Sequence, residues 1–208
     1  MSYTTLKSKI QNFMEDDSTE LSSSLDDIIA QAEEMVFQRL PNLPCFRKTF
    51  SGTLITSTAD YTIASARMIR QVSIVNSNSN TVFLNHRVDS YLRNYWPNSS
   101  DRATPVMYST KSAGTDGTII TLAPTPSANL SYQVDYIAPE TGLSSSNANS
   151  WIDTNAPNVL LSAALYESSA FLKAGETLNL YKTQFDEAVK LFMQEMQRDY
   201  AAEYDGGI

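Results

Sequence analysis

The residue types that most often carry out chemistry are scarce in this sequence, which has one histidine, His86, and one cysteine, Cys45. One histidine and one cysteine cannot supply the usual ligands of a zinc ion. A serine hydrolase would need a nucleophile beside the histidine, and the sequence has no G-x-S-x-G turn to present one. The glycine loops that bind phosphate, G-x-x-x-x-G-K-[ST] and G-x-G-x-x-G, are also missing. We therefore expect no cofactor and no metal, with His86 a surface or turn residue.

Neighbouring acidic residues are the next candidates for chemistry, and they occur at 16–17, 26–27 and 33–34. Adjacent side chains on a helix point about 100° apart, so these pairs do not converge on one substrate atom. Asp26 and Asp27 follow Ser24, a pattern that predicts the first turn of a helix, where carboxylates interact favourably with the helix dipole. The acidic pairs therefore predict structure and not acid–base catalysis.

Aromatic residues cluster in the segment SYLRNYW, which contains Tyr91, Tyr95 and Trp96. Such a cluster suits a packed core, a contact with another subunit, or a site on which a sugar stacks. A carbohydrate-binding β module with helical flanks is therefore an alternative function, and it predicts a monomer that binds glycans. A hydrolase that uses His86 is a third, and it predicts that His86→Ala abolishes an activity.

Charge and hydropathy exclude other classes of protein. The 208 residues carry a formal net charge of −8 without any run of lysine or arginine, which argues against electrostatic binding of nucleic acid. Charged residues make up 18% of the sequence, fewer than the roughly 25% of an average soluble domain, and such a surface suits broad contact with other subunits. No apolar segment reaches the roughly 20 residues of a membrane-spanning helix, and the N-terminus lacks the apolar stretch of a signal peptide.

The elements that position these residues follow from periodicity. Apolar residues spaced three and four apart predict helices at both ends of the sequence. Short β-branched and aromatic runs between turn clusters predict strands from Phe46 to Ala138, with hairpins at NSNSN and KSAGTDG. The predicted helices cover residues 3–14, a segment from Ser24 to Leu40, 157–173 and 177–204.

These elements predict an α+β fold. Two N-terminal and two C-terminal helices would form a bundle, because their apolar stripes would otherwise face water. An antiparallel β-subdomain would be inserted between the second and third of these helices. The expected boundaries are 1–45 for the N-terminal helices, 46–140 for the β-subdomain, and 141–208 for the C-terminal helices with a flexible tail.

The third helix of the bundle, residues 157–173, is apolar on both faces, with Glu167 its only charge before Lys173. A surface helix usually keeps one polar face. We expect one face to pack on the chain's own helices and the other on the β-subdomain or on a neighbouring copy. The candidate core or subunit-interface residues are Leu161, Leu165, Tyr166 and Phe171.

Six segments occur in a characteristic order: DDIIAQAEEMVFQRLPNLPC, MIRQVSIV, TPVMYST, TIITLAPTPSANLSYQVDYIAPETGLS, Trp151 and NAPNVLLSAALYESSAFLK. In their order and spacing, over about residues 20–200, the sequence resembles the head-to-tail adaptor (connector) proteins of short-tailed bacteriophages. One departure is IDTNAP after Trp151, where many such sequences have a charged segment. Within these segments the resemblance depends most on Ala32-Glu33, Thr104-Pro105, Tyr108, Leu122-Ala123-Pro124, Tyr132 and Tyr136.

The resemblance implies a structural virion protein and no enzyme. Such adaptors form a homo-oligomeric ring of about twelve copies in closed cyclic symmetry. The ring binds beneath the portal protein, extends its channel, and holds the nozzle or tail hub below and, in some phages, the tail fibres outside. DNA passes through without specific binding and no membrane is involved. The expected location is the head–tail junction of the virion, after assembly in the host cytoplasm.

With that function in view, three groups of residues become candidate contacts. Acids on the last helix would line the channel and repel phosphate during DNA ejection. The segment AAEYDGGI would bind the portal, since a flexible tail can become ordered on binding. The turns of the β-subdomain would contact nozzle or fibre. The candidate residues are Asp186, Glu187, Glu195 and Asp199 for the channel; Tyr200, Tyr204 and Ile208 for the portal; and Asn78, Asn80 and Asp116 for nozzle or fibre.

Overall fold

The computed structural model describes residues 1–76, 78–98, 100–114 and 116–205, and of residues 198–205 it describes the backbone alone. The chain divides into two compact units. The helical unit consists of Met1–Pro41 and Pro139–Ile208, and the β unit consists of Asn42–Ala138. Helices from both ends of the chain pack together, and the strands come from the middle of the sequence, which confirms the predicted α+β fold class.

The helices form where apolar residues recur at helical spacing, and a serine side chain caps the first turn of the helices that begin at Tyr3, Thr19 and Trp151. Ser2 caps the first helix, where its hydroxyl accepts the N–H of Thr5 at 3.3 Å. In chain order the helices are α1 (Tyr3–Met14), α2 (Thr19–Arg39), α3 (Asp89–Tyr95), α4 (Trp151–Asn155), α5 (Pro157–Phe171) and α6 (Gly175–Asp205). Of these, α3 belongs to the β unit and the others to the helical unit.

The start of α2 differs from the prediction. Ser18 caps this helix, because its hydroxyl accepts the N–H of Leu21 at 3.2 Å, and the extra turn buries Leu21 completely. The predicted start at Ser24 is wrong, since the Ser24 hydroxyl donates to the Glu20 carbonyl inside the helix. Asp26 consequently lies beyond the first turn and accepts hydrogen bonds from the side chains of Lys7 and Tyr3, which connect α2 to α1.

The described residues of the β unit form two four-stranded sheets and a short two-stranded pair. One sheet has the order β1-β10-β3-β4 and is antiparallel throughout; the other has the order β2-β8-β7-β5, in which β5 and β7 are parallel. The pair β6-β9 is also parallel. The strands are β1 (Arg47–Thr53), β2 (Asp60–Ile63), β3 (Met68–Val75), β4 (Thr81–Phe83), β5 (Asn85–His86), β6 (Arg102–Ala103), β7 (Met107–Ser112), β8 (Thr118–Ala123), β9 (Thr125–Pro126) and β10 (Ser131–Ile137).

The core of the β unit draws on both four-stranded sheets. Side chains alternate between the two faces of a strand, so every second residue points inward. Val72 and Ile74 of β3 meet Val134 of β10 in one buried cluster with Ile120 and Leu122 of β8. This shared core fixes the positions of the turns that connect the strands.

Candidate functional site

Helix α5 is the centre of the helical unit. It packs against α1, α2, α4 and α6, so helices of the same unit account for both of its apolar faces. Leu160, Ala163 and Ala164 are completely buried. Two buried serines satisfy their hydroxyl groups locally: Ser168 donates to the Ala164 carbonyl at 2.7 Å, and Ser169 lies 2.8 Å from the hydroxyl of Thr177. Small and internally bonded side chains therefore let the neighbouring helices approach α5 closely.

The candidate interface residues of α5 fall into two groups. Leu165 is buried in the helical unit and serves its core. Leu161 and Tyr166 are half-buried, and Phe171, at the end of the helix, is 38% exposed. Burial raises the pKa of Glu167, the one charged residue of this helix. Leu161, Tyr166 and Phe171 thus retain surface that another chain can contact.

The candidate channel acids of α6 do not share one surface. Asp186 Oδ1 lies 3.0 Å from Arg39 Nη2 of α2. Glu187 and Glu195 are exposed and line one cavity of about 380 Å³ together with Leu191 and residues at the start of α5. At 100° per residue, Asp186 and Glu195 point to opposite sides of α6. The side chain of Asp199 lies outside the described part of the chain.

The candidate portal contacts are at the end of α6, whose helical backbone continues to Asp205. The side chains of Tyr200 and Tyr204 are outside the description, and Ile208 lies beyond the described residues. Their contact with the portal stays a prediction.

The candidate nozzle or fibre residues occupy two turns at different ends of β3. Asn78 and Asn80 follow this strand, and their backbone N–H groups both donate to Asn76 Oδ1 at 3.0 Å. Asp116 accepts hydrogen bonds from the N–H and hydroxyl of Ser65, which precedes the strand. Eight extended residues span about 25 Å. The two turns are therefore too far apart to form one small contact site.

The aromatic cluster of α3 is mostly stacked on itself. The rings of Tyr91 and Tyr95 stack with centroids 4.6 Å apart, and Trp96 lies 5.9 Å from Tyr95. The guanidinium of Arg87 lies 5.7 Å from the centre of the Tyr91 ring. These contacts occupy ring faces that a sugar would need, although Tyr95 remains 62% exposed. Tyr95 is therefore the most exposed ring of the cluster, while Tyr91 and Trp96 are half-buried.

His86 and Cys45 are the other residues with potentially reactive side chains, and the His86 ring contacts side chains of β7. The His86 ring lies 5.1 Å from the Tyr108 ring, and its Nε2 is 3.4 Å from the Thr110 hydroxyl. Cys45 is half-buried. Among the described residues, no group of three or more histidine, cysteine or acidic side chains is arranged to hold a metal ion.

Sequence reasoning missed a group of acids in the helical unit, of which Asp153 is buried and Glu33 and Glu140 are half-buried. The Glu33 carboxylate of α2 accepts the backbone N–H of Leu143, while Glu140 and Asp153 are close enough to raise its pKa further. Asp153 is fully buried and caps α4 through the N–H of Ser150. In the ranges that the structure describes, no hydrogen-bond partner reaches the buried oxygens Glu140 Oε2 and Asp153 Oδ2, although the amino group of Met1 lies 3.7 Å from the latter. No spacing in the sequence indicates this group, because its members come from both ends of the chain.

Comparison with models of known protein families identifies the family of this chain. The family model for the SU10 adaptor protein matches residues 1–205. The chain belongs to the SU10 adaptor family. This is a family of phage head–tail adaptors, which are structural proteins and not enzymes, as the resemblance implied. No curated protein matches the chain.

In this SU10 adaptor, several residues that carried the resemblance serve the two cores. Tyr108 and Tyr132 belong to the buried cluster of the β unit. Ala32 is completely buried on α2, and the Trp151 ring meets the Phe192 ring edge-on at 6.4 Å. Within the described residues, the adaptor has no helix both long and apolar enough to cross a membrane.

Proposed function

We propose that this adaptor forms a closed ring of about twelve copies beneath the portal, where it extends the DNA channel and holds the nozzle or tail hub, with tail fibres attached outside. The observation that carries the proposal is the family match over residues 1–205, which includes both units of the chain. The ring would occupy the head–tail junction of the virion.

Exposed apolar side chains support contact between copies. On α6, Leu180 is 54% exposed, Leu191 is 66% exposed and Met193 is 45% exposed. At 100° per residue, Met193 points to the side of α6 opposite Leu180 and Leu191. A closed ring joins two different surfaces of each copy. We assign one of these surfaces to the side of α6 that carries Met193, because Leu191 lies on the same side as the proposed channel acids. The other surface is assigned to the half-buried residues Leu161 and Tyr166 of α5.

The acids of α6 support a channel that DNA can slide through. Glu187 and Glu195 lie on one side of the helix and would repel phosphate if that side faces the channel. Asp186 is paired with Arg39 and contributes less net charge. We therefore keep Glu187, Glu195 and Asp199 as the main channel acids and treat Asp186 as a helix-to-helix contact.

The two turns of the β unit would contact different partners. Since Asn78 and Asn80 lie at the opposite end of β3 from Asp116, one turn would bind the nozzle or tail hub and the other would bind a fibre or a neighbouring copy. The C-terminal segment with Tyr200, Tyr204 and Ile208 remains the proposed portal contact.

Co-purification with the portal tests the proposal. The adaptor is mixed with the portal ring of the phage that encodes it, and the complex is analysed by mass measurement and negative-stain imaging. We expect a second ring stacked on the portal, while the adaptor alone stays monomeric or forms the same ring. An adaptor that remains monomeric and separate from the portal would contradict the proposal.

A further inference from the structure

Strand β7 has an edge that its neighbour covers for only two residues. β5 pairs with it from Asn85–His86 to Met107–Tyr108, and the chain then leaves the sheet for α3. On the other side, β8 pairs with β7 along its whole length, to Ser112. In the described part of the chain, the outer edge of β7 beyond Tyr108 has no further strand beside it.

The direction of the backbone groups on this edge follows from one hydrogen bond. The N–H of Arg87 donates to the Tyr108 carbonyl at 2.8 Å, so Tyr108 points its backbone groups toward β5. Backbone groups alternate between the two edges of a strand, so Thr110 and Ser112 point theirs to the same edge. Both residues are exposed. Two donors and two acceptors therefore face outward where β5 has already ended.

Lys111, the charged residue on this part of β7, does not cover the edge with its side chain. Exposed edges are often protected by a lysine that points outward. Here the Lys111 ammonium donates to the Asp60 carboxylate at 2.6 Å, and Asp60 lies on β2, on the far side of β8. Lys111 therefore reaches away from the open edge.

A cavity of about 700 Å³ lies against the edge. His86 and Thr110 line it, and so do Met68 and Ile69 of β3 in the other sheet. Met68 is 59% exposed, which leaves one exposed apolar side chain beside the backbone groups of β7 in a lining that is otherwise largely polar. The cavity is large enough for a few residues of extended chain, whose alternate side chains would reach Met68.

We propose that the open edge of β7 is a docking site for an extended segment of a partner protein. The segment adds a strand parallel to β7, along the line that β5 leaves at His86, and pairs with the backbone of Thr110 and Ser112. Its β-branched or apolar side chains fill the cavity over Met68 and Ile69, and the alternate side chains are polar. This site does not depend on whether the adaptor forms a ring.

A capped peptide, acetyl-Glu-Val-Thr-Val-Thr-Lys-amide, tests the site with the full-length adaptor. Two control peptides have the same side chains but carry N-methyl groups on alternate residues. In one, the methyl groups replace the N–H donors that face β7; in the other, they replace the N–H donors that face away from it. We expect saturable binding of the unmethylated peptide below about 1 mM. Hydrogen exchange at the amides of Thr110 and Ser112 should slow about tenfold at saturation.

Two variants keep the test decisive. Ser112→Pro removes one donor from the edge, and Met68→Asp places a charge in the cavity without touching the ladder of β7. Each should weaken peptide binding about tenfold or more while circular dichroism remains unchanged. No binding up to about 1 mM, equal binding of both methylated peptides, or protection at other amides would overturn the proposal.

Discussion

The Glu33 carboxylate accepts the backbone N–H of Leu143 through both of its oxygens, each 3.1 Å away, across 110 residues of sequence. The bond fixes α2 to the segment that returns from the β unit. Burial raises the pKa of Glu33 to about 7; the Leu143 N–H opposes this, and the nearby Glu140 and Asp153 add to it. The folded state therefore holds a proton on Glu33 more tightly than the unfolded chain does.

This shift predicts how stability depends on pH. Between about pH 4.5 and 7 the folded state binds more protons at Glu33, so the free energy of unfolding should fall as pH rises through this window. Glu33→Gln keeps an acceptor for Leu143 without the charge. It should be more stable than the wild type at pH 8 by on the order of 1 kcal/mol and flatten the dependence. Urea unfolding at pH 5.5 and 8 measures this, with exposed Glu195→Gln as the control that should leave the slope unchanged.

Adjacent leucines of α5 predict two different outcomes. Leu160 is completely buried, so Leu160→Ala should lower the free energy of unfolding by about 2–5 kcal/mol. Leu161 is half-buried, and Leu161→Ala should cost about 1 kcal/mol or less. Chemical denaturation of both variants compares them. Equal losses would show that α5 is not oriented as described, and a selective loss of ring assembly in Leu161→Ala would place Leu161 between copies.

Two glycines in one hairpin loop provide a test of local packing. Both Gly114 and Gly117 have positive φ, at 99° and 89°. A Cβ on Gly117 would lie 2.4 Å from the Ile63 carbonyl oxygen, whereas a Cβ on Gly114 would have open space. Gly114→Ala should therefore cost about 1 kcal/mol from backbone strain alone. Gly117→Ala should cost about 2 kcal/mol or more, and thermal unfolding that ranks the two variants in reverse would contradict the position of this loop.

The channel proposal predicts how DNA ejection changes when the acidic residues of α6 are replaced by uncharged ones. Glu187→Gln, Glu195→Gln and Asp199→Asn together should slow or stop ejection from assembled particles, because phosphate would adhere to a wall that no longer repels it. Asp186→Asn alone is the matched control and should leave ejection close to wild type. Ejection measured by a DNA-binding dye separates the two, and wild-type kinetics in the triple variant would remove these acids from the channel.

The portal proposal predicts the effect of shortening α6. Removal of residues 201–208 should abolish binding to the portal and leave the fold of both units intact, because the described core residues all precede this segment. Sedimentation with the portal ring and circular dichroism measure the two effects. Full-strength binding by the shortened chain would exclude Tyr204 and Ile208 as portal contacts.

Local patterns in the sequence were sufficient to predict whether most elements of this fold are helices or strands. The apolar spacing of α5 and the alternation of Tyr132 and Val134 in β10 gave the right type of element, since side chains on one face must be buried together. In α1 the spacing of apolar residues does not fix burial: Leu6 and Ile10 are buried, whereas Phe13, three residues after Ile10, is 57% exposed. At the start of α2, the cap is Ser18 and not the predicted Ser24, because the additional turn buries Leu21.

The candidate contacts were harder to predict, because they depend on pairings between distant segments. Asn80 and Asp116 both lie in polar turns, and only the strand order places them at opposite ends of β3. The short strand β5 has two residues, too few for any periodicity, and its parallel pairing with β7 joins residues more than twenty apart in sequence. Glu33 and Asp153 likewise meet only after both ends of the chain have folded together.

The helical unit is interrupted in sequence by Asn42–Ala138, and this has a consequence during translation. At the usual rates of about 5–20 residues per second, α1 and α2 leave the ribosome many seconds before α5 is synthesised. Both α1 and α2 pack mainly on α5, so their apolar faces stay incompletely covered until α5 arrives, whereas the β unit is complete at Ala138. The β unit in the middle of the nascent chain should therefore fold first. Until α5 is made, α1 and α2 should expose apolar side chains that chaperones can bind.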